Sequence, residues 1–455
     1  MLHLPGSTYR LCDGVNRREF LQLGGLGMAG LALPELYRGR AAAATRKQKA
    51  RSCILLFLAG GPPQQDTFDL KPDAPAEVRG VFGGIDTSVP GIRISEQLPL
   101  LAKQAQRYSI IRSVTDEYAG GAHGPGVYLA LTGHKNARVD RDDIPPAADD
   151  FPCMGSAISQ LRPGNGNVPP FVWLLDMYRK TFAGEGGGFL GKQHDPFRIL
   201  QDPSRPDFRV RALEGTKEVP TARMAQRRFL LEGLERQAEG LHRAGAIRHM
   251  DAHQQRAFNL LLSPQCREAF NLDAEPAPLR DRYGRHKFGQ AALLARRLIE
   301  HEVPLVTVYW SGEEAVNQGW DLHYENKQKL PKLTPSLDQG FSALLEDLAQ
   351  RGMLEDTLVV CMGEFGRAPR IEDKGGRGHW ARVYSAVVAG GGVPGGQIHG
   401  KSDAHAAYPS ENPVTPMDLV TSIYHNLGIP LDTELRDYLG RPLRLCQGDV
   451  IQGLF

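Results

Sequence analysis

Thr357-Leu-Val-Val-Cys-Met362 runs without a charged residue into Gly363-Glu364-Phe365-Gly366-Arg367. A short apolar run bounded by glycine is the pattern of a strand buried on both faces. A carboxylate placed directly after such a strand sits where open α/β sheets carry their chemistry, at the carboxyl ends of the strands. Past a Gly-rich turn come Gly376-Arg377-Gly378-His379-Trp380, and upstream Trp320-Asp321-Leu322-His323 again lies soon after an apolar strand. Carboxylates and imidazoles therefore collect at the ends of successive strands. Oxygen and nitrogen donors without a thiolate suit a divalent cation: zinc, manganese, magnesium or calcium, one ion or two. Such a centre points to metal-assisted hydrolysis.

To either side of this stretch, strand and helix alternate. Ser52 to Ala59 reads as a fully buried strand ended by Gly60-Gly61-Pro62-Pro63. Glu96 to Gln106 reads as a helix and Tyr108 to Arg112 as the next strand; residues 223–259 are charged, with leucines at helical spacing, and predict a solvated helical insertion around 222–260. Phe288 to His301 makes a helix and Pro304 to Trp310 a strand. Leu337, Phe341, Leu344, Leu345 and Leu348 form one apolar face of a further helix, with Ser336 placed to cap its start. Strand Tyr384 to Ala389 precedes a last helix with Thr415 as cap, Pro416 in its first turn and Gly428 past its end. Buried strands separated by helices predict a three-layer α/β/α sandwich around a mainly parallel sheet.

The N-terminus bears on location. Asn16-Arg17-Arg18-Glu19-Phe20-Leu21, a soft apolar run to Leu36 and Ala41 to Ala44 have the charged, apolar and small-residue regions of an export signal. The paired arginines look like a twin-arginine signal, read by the twin-arginine translocation machinery and leading to the periplasm or beyond. Gly and Ala dilute the run below the roughly 20 strongly apolar residues of a spanning anchor. Removing residues 1–44 takes away five of the 54 Lys and Arg and three of the 52 Asp and Glu, leaving 49 of each and a formal net charge of zero. That balance gives no reason to expect a nucleic-acid partner. The five remaining cysteines, Cys53, Cys153, Cys266, Cys361 and Cys446, have neither disulfide-framework nor zinc-ligand spacing. Residues 45–455 show no linker or repeat that divides them, and read as one domain.

The segments GGPPQQDTFDLKP, HGPGVYLALTGH, LLARRLIE, WDLH, LVVCMGEFGR and GRGHW, in this order, resemble the domain-of-unknown-function family 1501 over roughly Arg51 to Phe455. The family is placed with the alkaline phosphatase and sulfatase superfamily. The resemblance implies an alkaline-phosphatase-like sandwich and a ligand set of Asp66, supported by Asp69, with Asp321, His323, Glu364 and His379. Two departures stand out. Phe365 replaces the histidine that two-metal relatives carry beside the late acid, which thins any second metal site. The nucleophile of sulfatases stands nine residues before the threonine of a Leu-Thr-Gly motif, and nine before Thr132 is His123. No hydroxyl or thiol stands there, so a covalent intermediate through Ser, Thr or formylglycine is unsupported. His123 is then a further ligand, a general acid or a nucleophile, imidazole titrating near neutral pH.

Arg367 joins His123 as a catalytic candidate, and His134 and Arg377 are candidates for contact with substrate, guanidinium matching the geometry of sulfate and phosphate. Their structural alternative is pairing with nearby carboxylates. The Gly-rich Phe182 to Gly191 predicts a loop near the site, and Asp403 and His405 read as loop residues. Two functions stand as expectations. One is an exported metal-dependent hydrolase of sulfate or phosphate esters, borne on a small molecule or a polysaccharide, with water activated by the metal or assisted by His123. The other is a non-catalytic envelope protein that keeps the fold and holds a metal or an anionic glycan.

Overall fold

The computed structural model describes residues 50–164, 166–176, 181–213, 226, 257–310 and 319–455. The predicted export signal lies outside the described residues, as does nearly all of the helical stretch predicted over 223–259.

Eight strands form the central sheet: β1 Ser52–Leu58, β2 Tyr108–Val114, β3 Phe171–Leu174, β4 Phe197–Ile199, β5 Leu305–Trp310, β6 Thr357–Met362, β7 Tyr384–Ala389 and β8 Gln397–His399, in the spatial order β8-β2-β7-β6-β1-β5-β3-β4. Strand β7 runs antiparallel to both neighbours, and every other pairing is parallel. The sequence SCILLFL has no polar residue after Ser52, and all seven positions are buried, because β1 lies in the middle of the sheet with both faces covered. Its register, Phe57 opposite Tyr309 on one side and Met362 on the other, brings the ends of β1, β5 and β6 level with one another. At the exits of β1 and β6 stand Gly60 and Glu364.

Helices α1 His123–Thr132, α2 Met154–Leu161, α3 Lys287–Glu300, α4 Asn326–Gln350 and α5 Pro416–Asn426 flank the sheet. Among these, α3 packs on α4 and α1 on α5. The mainly parallel α/β/α sandwich predicted from the sequence is the observed architecture. Helix α5 starts as its sequence predicts, with Pro416 in the first turn and a reciprocal Thr415–Asp418 capping box. Two local expectations change. Glu96 to Gln106 is no continuous helix but the short turn Pro99–Ala102 and the tight turn Ala105–Arg107. The amides of Leu100 and Leu101 are capped from afar by the Asp338 carboxylate at 2.9 and 2.7 Å. Helix α4 begins ten residues before Ser336 and carries Pro331 and Pro335 inside it. Each proline costs about 3 kcal/mol in a helix interior. Leu330, Leu333 and Leu337 share the buried face, each contributing about 1.5–3 kcal/mol by burial, and they continue the stripe across the prolines.

No helix among the described residues is long and apolar enough to cross a membrane. Cys53 and Cys361 are buried within β1 and β6.

Candidate metal centre

Four local devices bring the side chains together. His123 opens α1. Glu364 comes directly after β6, its Oε1 accepting from the Gly60 amide at 2.8 Å, so the exits of two adjacent strands are tied. The segment carrying Asp321 and His323 is anchored by the Trp320 amide to Ala59 O and by Leu322 O to the Arg377 amide. Finally, Gly366–Arg367 pairs antiparallel with His379–Trp380, a two-residue ribbon that returns His379 to the strand ends. Gly376 permits the return: a Cβ there would lie 2.1 Å from the carbonyl carbon of His323, so only glycine lets the two segments approach.

The result is a cluster centred on Asp321. Its Oδ1 lies 2.9 Å from His323 Nε2 and 2.9 Å from His379 Nε2, and its Oδ2 lies 3.5 Å from His123 Nε2. His323 Nε2 and His379 Nε2 are 2.8 Å apart. The donor atoms of His123, Asp321 and His379 all lie within 4.8 Å of one another, and His323 touches two of the three. Asp321 is further held by the Arg367 guanidinium at 2.5 Å.

The far side of each ring shows what the near side must do. His123 Nδ1 meets Glu364 Oε1 at 2.7 Å, and His379 Nδ1 meets Gly121 O at 2.5 Å. Carboxylates and carbonyls only accept, so both Nδ1 atoms donate, and in the neutral rings both Nε2 atoms turn a lone pair toward Asp321. Lone pairs facing a carboxylate at such range are repulsive unless a proton or a cation lies between them. This is the arrangement in which a supporting carboxylate or carbonyl fixes the tautomer of a metal-binding histidine. Ligands at zinc distances of about 2.0–2.2 Å stand roughly 3.4 Å apart in a tetrahedron; the contacts of Asp321 and His323, 2.8 to 3.5 Å, bracket that spacing, and the donor atoms of His123, Asp321 and His379 are all within 4.8 Å. The residues present fit a divalent cation.

Without a cation, a proton takes its place. Burial alone would lower the pKa of His123, but its hydrogen bonds to Asp321 and Glu364 and their charges raise it to about 9. Burial would raise Asp321, yet hydrogen bonds from His123 and His379 and the charge of Arg367 hold it far below the usual carboxylate range. His323, partly exposed, is lowered chiefly by burial. Phe365 walls the site, its ring 4.9 Å from that of His123 and 4.7 Å from that of His379.

Of the other sequence candidates, Arg367 braces the cluster and the rest lie elsewhere. Asp66 Oδ2 accepts from Arg377 Nε at 3.1 Å and Asn326 Nδ2 at 2.8 Å, and both charged side chains of this pair are 1% exposed. Burial raises the pKa of Asp66 against the pull of Arg377. The remaining donors of Arg377 go to the carbonyls of Val78, Ala368 and Pro369. Asp69 pairs with Lys71 at 3.0 Å and accepts from Ser402. Arg367 is fully buried and, besides Asp321, donates to the carbonyls of Gly60, Gly61 and Arg377. His134 stacks on Phe151 with centroids 3.4 Å apart and reaches Leu445 O at 3.0 Å; burial lowers it to about 4. The Gly-rich loop packs against α1, Gly184 lying where a Cβ would strike Tyr128. Asp403 accepts from the amides of His405, Ala407 and Tyr408, a loop-building role. Sequence reasoning missed Gln64, whose amide grips both the N–H and the C=O of Arg367 and pins the ribbon, and Asn326, which holds Asp66. For Gln64 a signal existed: a pair of glutamines at the exit of a buried strand, in a place where polar groups must find partners.

No curated protein matches the chain. Solved structures similar to it include a sulfatase from Pseudoalteromonas sp. (11% identity, 86% of this chain, 70% of that one, TM-score 0.38). Others are a protein in the alkaline phosphatase superfamily from Vibrio parahaemolyticus (10%, 84%, 67%, 0.40) and a phosphonate monoester hydrolase from Silicibacter pomeroyi (13%, 86%, 76%, 0.37). Residues 50–455, which span the whole sandwich, match the model described as "Protein of unknown function (DUF1501)", and the chain belongs to that family.

Proposed function

We propose that the protein is an exported, metal-dependent hydrolase of sulfate or phosphate esters. The observation that carries this reading is the convergence of His123, Asp321 and His379, with His323 beside them, in an arrangement whose ring tautomers aim their lone pairs at one point. A bound divalent cation would supply Lewis acidity toward an ester oxygen. Asp321 is the anchoring ligand, held in orientation by Arg367. Glu364 acts through His123: it fixes the Nδ1–H tautomer and leaves Nε2 to the cluster. His123, with its raised pKa, keeps a proton at neutral pH and can pass it to the departing oxygen if it does not bind the ion. Arg367 and Arg377, with their donors spent on carbonyls and carboxylates, and His134, stacked in the core, serve position and stability. Export rests on the Arg17-Arg18 segment, and a substitution of both arginines by Lys, followed by cell fractionation, tests it.

Metal analysis of the purified protein, with a panel of chromogenic phosphate and sulfate esters, tests the function. The proposal expects bound divalent metal and turnover of at least one ester class. Metal without turnover on any ester would favour a binding protein instead, a reading supported by the absence of a hydroxyl or thiol at His123. Absence of both metal and turnover overturns the hydrolase and the metal-binding reading together.

A further inference from the structure

On another part of the surface, a cleft of about 660 Å³ is lined by segments 70–72 and 79–84 and by Gly91, Arg93 and Arg112. That volume lies within the roughly 300–1,000 Å³ of small-molecule sites. Four cationic side chains, Lys71, Arg79, Arg93 and Arg112, converge on it from three separate stretches of chain and from strand β2. A concave surface lined by one sign of charge focuses its field, unlike a run of like charges on a convex face. Three carboxylates answer them, one being Glu96, which accepts from the Gly83 amide on the wall at 3.0 Å. Asp69, buried, pairs with Lys71 at 3.0 Å and approaches Arg112 at 3.7 Å, and Asp86, exposed, pairs with Arg93 at 3.1 Å. One positive charge is left in excess, and Arg79 is exposed.

The lining is built for an organic ligand as well as a charge. Leu70 and Phe82 are partly buried, and Val81 is 55% exposed, so apolar surface lies beside the cations. The side chains of Lys71 and Arg112 are only 16% and 18% exposed, and both approach Asp69. Arg112 is braced further by bonds to Phe68 O at 2.8 Å and Arg93 O at 3.0 Å. Gly80, Gly83, Gly84 and Gly91 place four positions without side chains on the wall, and at Gly91 a Cβ would meet nothing within 4 Å.

We propose that this cleft is an anion-binding site for an organic ligand bearing a sulfate or phosphate group, with Arg79 and Arg93 as the accessible cations and Phe82 and Val81 against the body of the ligand. It is built of residues separate from the imidazole cluster, so binding here stands or falls independently of hydrolysis there. Titration calorimetry at low salt with the full chain tests it, using a sulfated disaccharide, its desulfated form, glucose 1-phosphate and inorganic sulfate as probes. The expected result is saturable binding of the sulfated or phosphorylated sugar, at least tenfold weaker for the desulfated form and weakening as salt rises. The two charged sugars together separate a sulfated glycan from a phosphorylated source. The double variant Arg79→Glu/Arg93→Glu, and separately Val81→Asp, all at exposed positions, should each weaken binding at least tenfold while leaving the metal content of the protein unchanged. Equal binding of the sulfated and desulfated sugars, binding of none of the probes, or wild-type affinity in both variants overturns the proposal.

Discussion

Asp66 and Asp321 occupy equivalent positions in the sequence grammar of this fold, each a carboxylate soon after a buried central strand, and the structure treats them in opposite ways. Asp66 is closed off: one guanidinium and one amide bind the same oxygen, and the pair is buried. Asp321 is shared among three imidazoles and a guanidinium, and its side chain stays 17% exposed. The Asp66 charge is answered by a single guanidinium, although its Oδ1 is buried without a hydrogen-bond partner, whereas a carboxylate ringed by lone pairs gains when a cation joins it. The partner groups, rather than the position of the acid along the strand, separate a brace from a binding site.

The sharpest break of this comparison is Asp321→Asn, which keeps the volume and removes the charge. Metal affinity should fall by more than the roughly 100-fold that loss of a supporting group costs, as read by calorimetry; retention of wild-type affinity would remove Asp321 from the centre. Next comes Asp66→Ala, which strands the buried Arg377. Stability should drop by about 3–5 kcal/mol in denaturant unfolding, with the metal affinity of the folded protein intact. If the metal is lost instead, Asp66 belongs to the centre and the contrast fails.

Third is a test by pH at His134, a histidine kept out of the cluster. Its folded pKa of about 4 lies below the ordinary 6.5, so as the pH falls the unfolded chain takes up the proton first. The stabilisation is whole above 6.5, declines between 6.5 and 4, and amounts to about 3 kcal/mol. His134→Gln should flatten the stability profile in that window by this amount, and an unchanged slope would place the acid sensitivity elsewhere. The smallest effect is expected from Glu364→Gln, which keeps an acceptor for His123 but not its charge: a 10- to 100-fold loss of metal affinity with stoichiometry retained. Loss of the ion altogether would make Glu364 a direct ligand.

Much of the fold was legible because its strands are unmixed. SCILLFL and TLVVCM have no alternation to misread, and the Thr415-Pro416 start of α5 carries its own cap. Helix α4 was misjudged at its start because Pro331 and Pro335 are strong local stop signals, and only the packed face across Leu330, Leu333 and Leu337 overrides them. At the site, the residue types were legible and their partners were not. Nothing in WDLH or GRGHW tells which carboxylate meets imidazole and which meets guanidinium. That is decided by the Gly376 contact with His323 and by Gln64 pinning the ribbon, both long-range.

The most direct measurement is an anomalous difference map from crystals of the protein grown with a divalent transition metal such as zinc. A peak bounded by Asp321, His123 Nε2 and His379 Nε2 is expected, at about 2.0–2.2 Å from its ligands. A peak beside Asp66, or imidazoles that remain in contact with Asp321 with no ion among them at saturating metal, would contradict it.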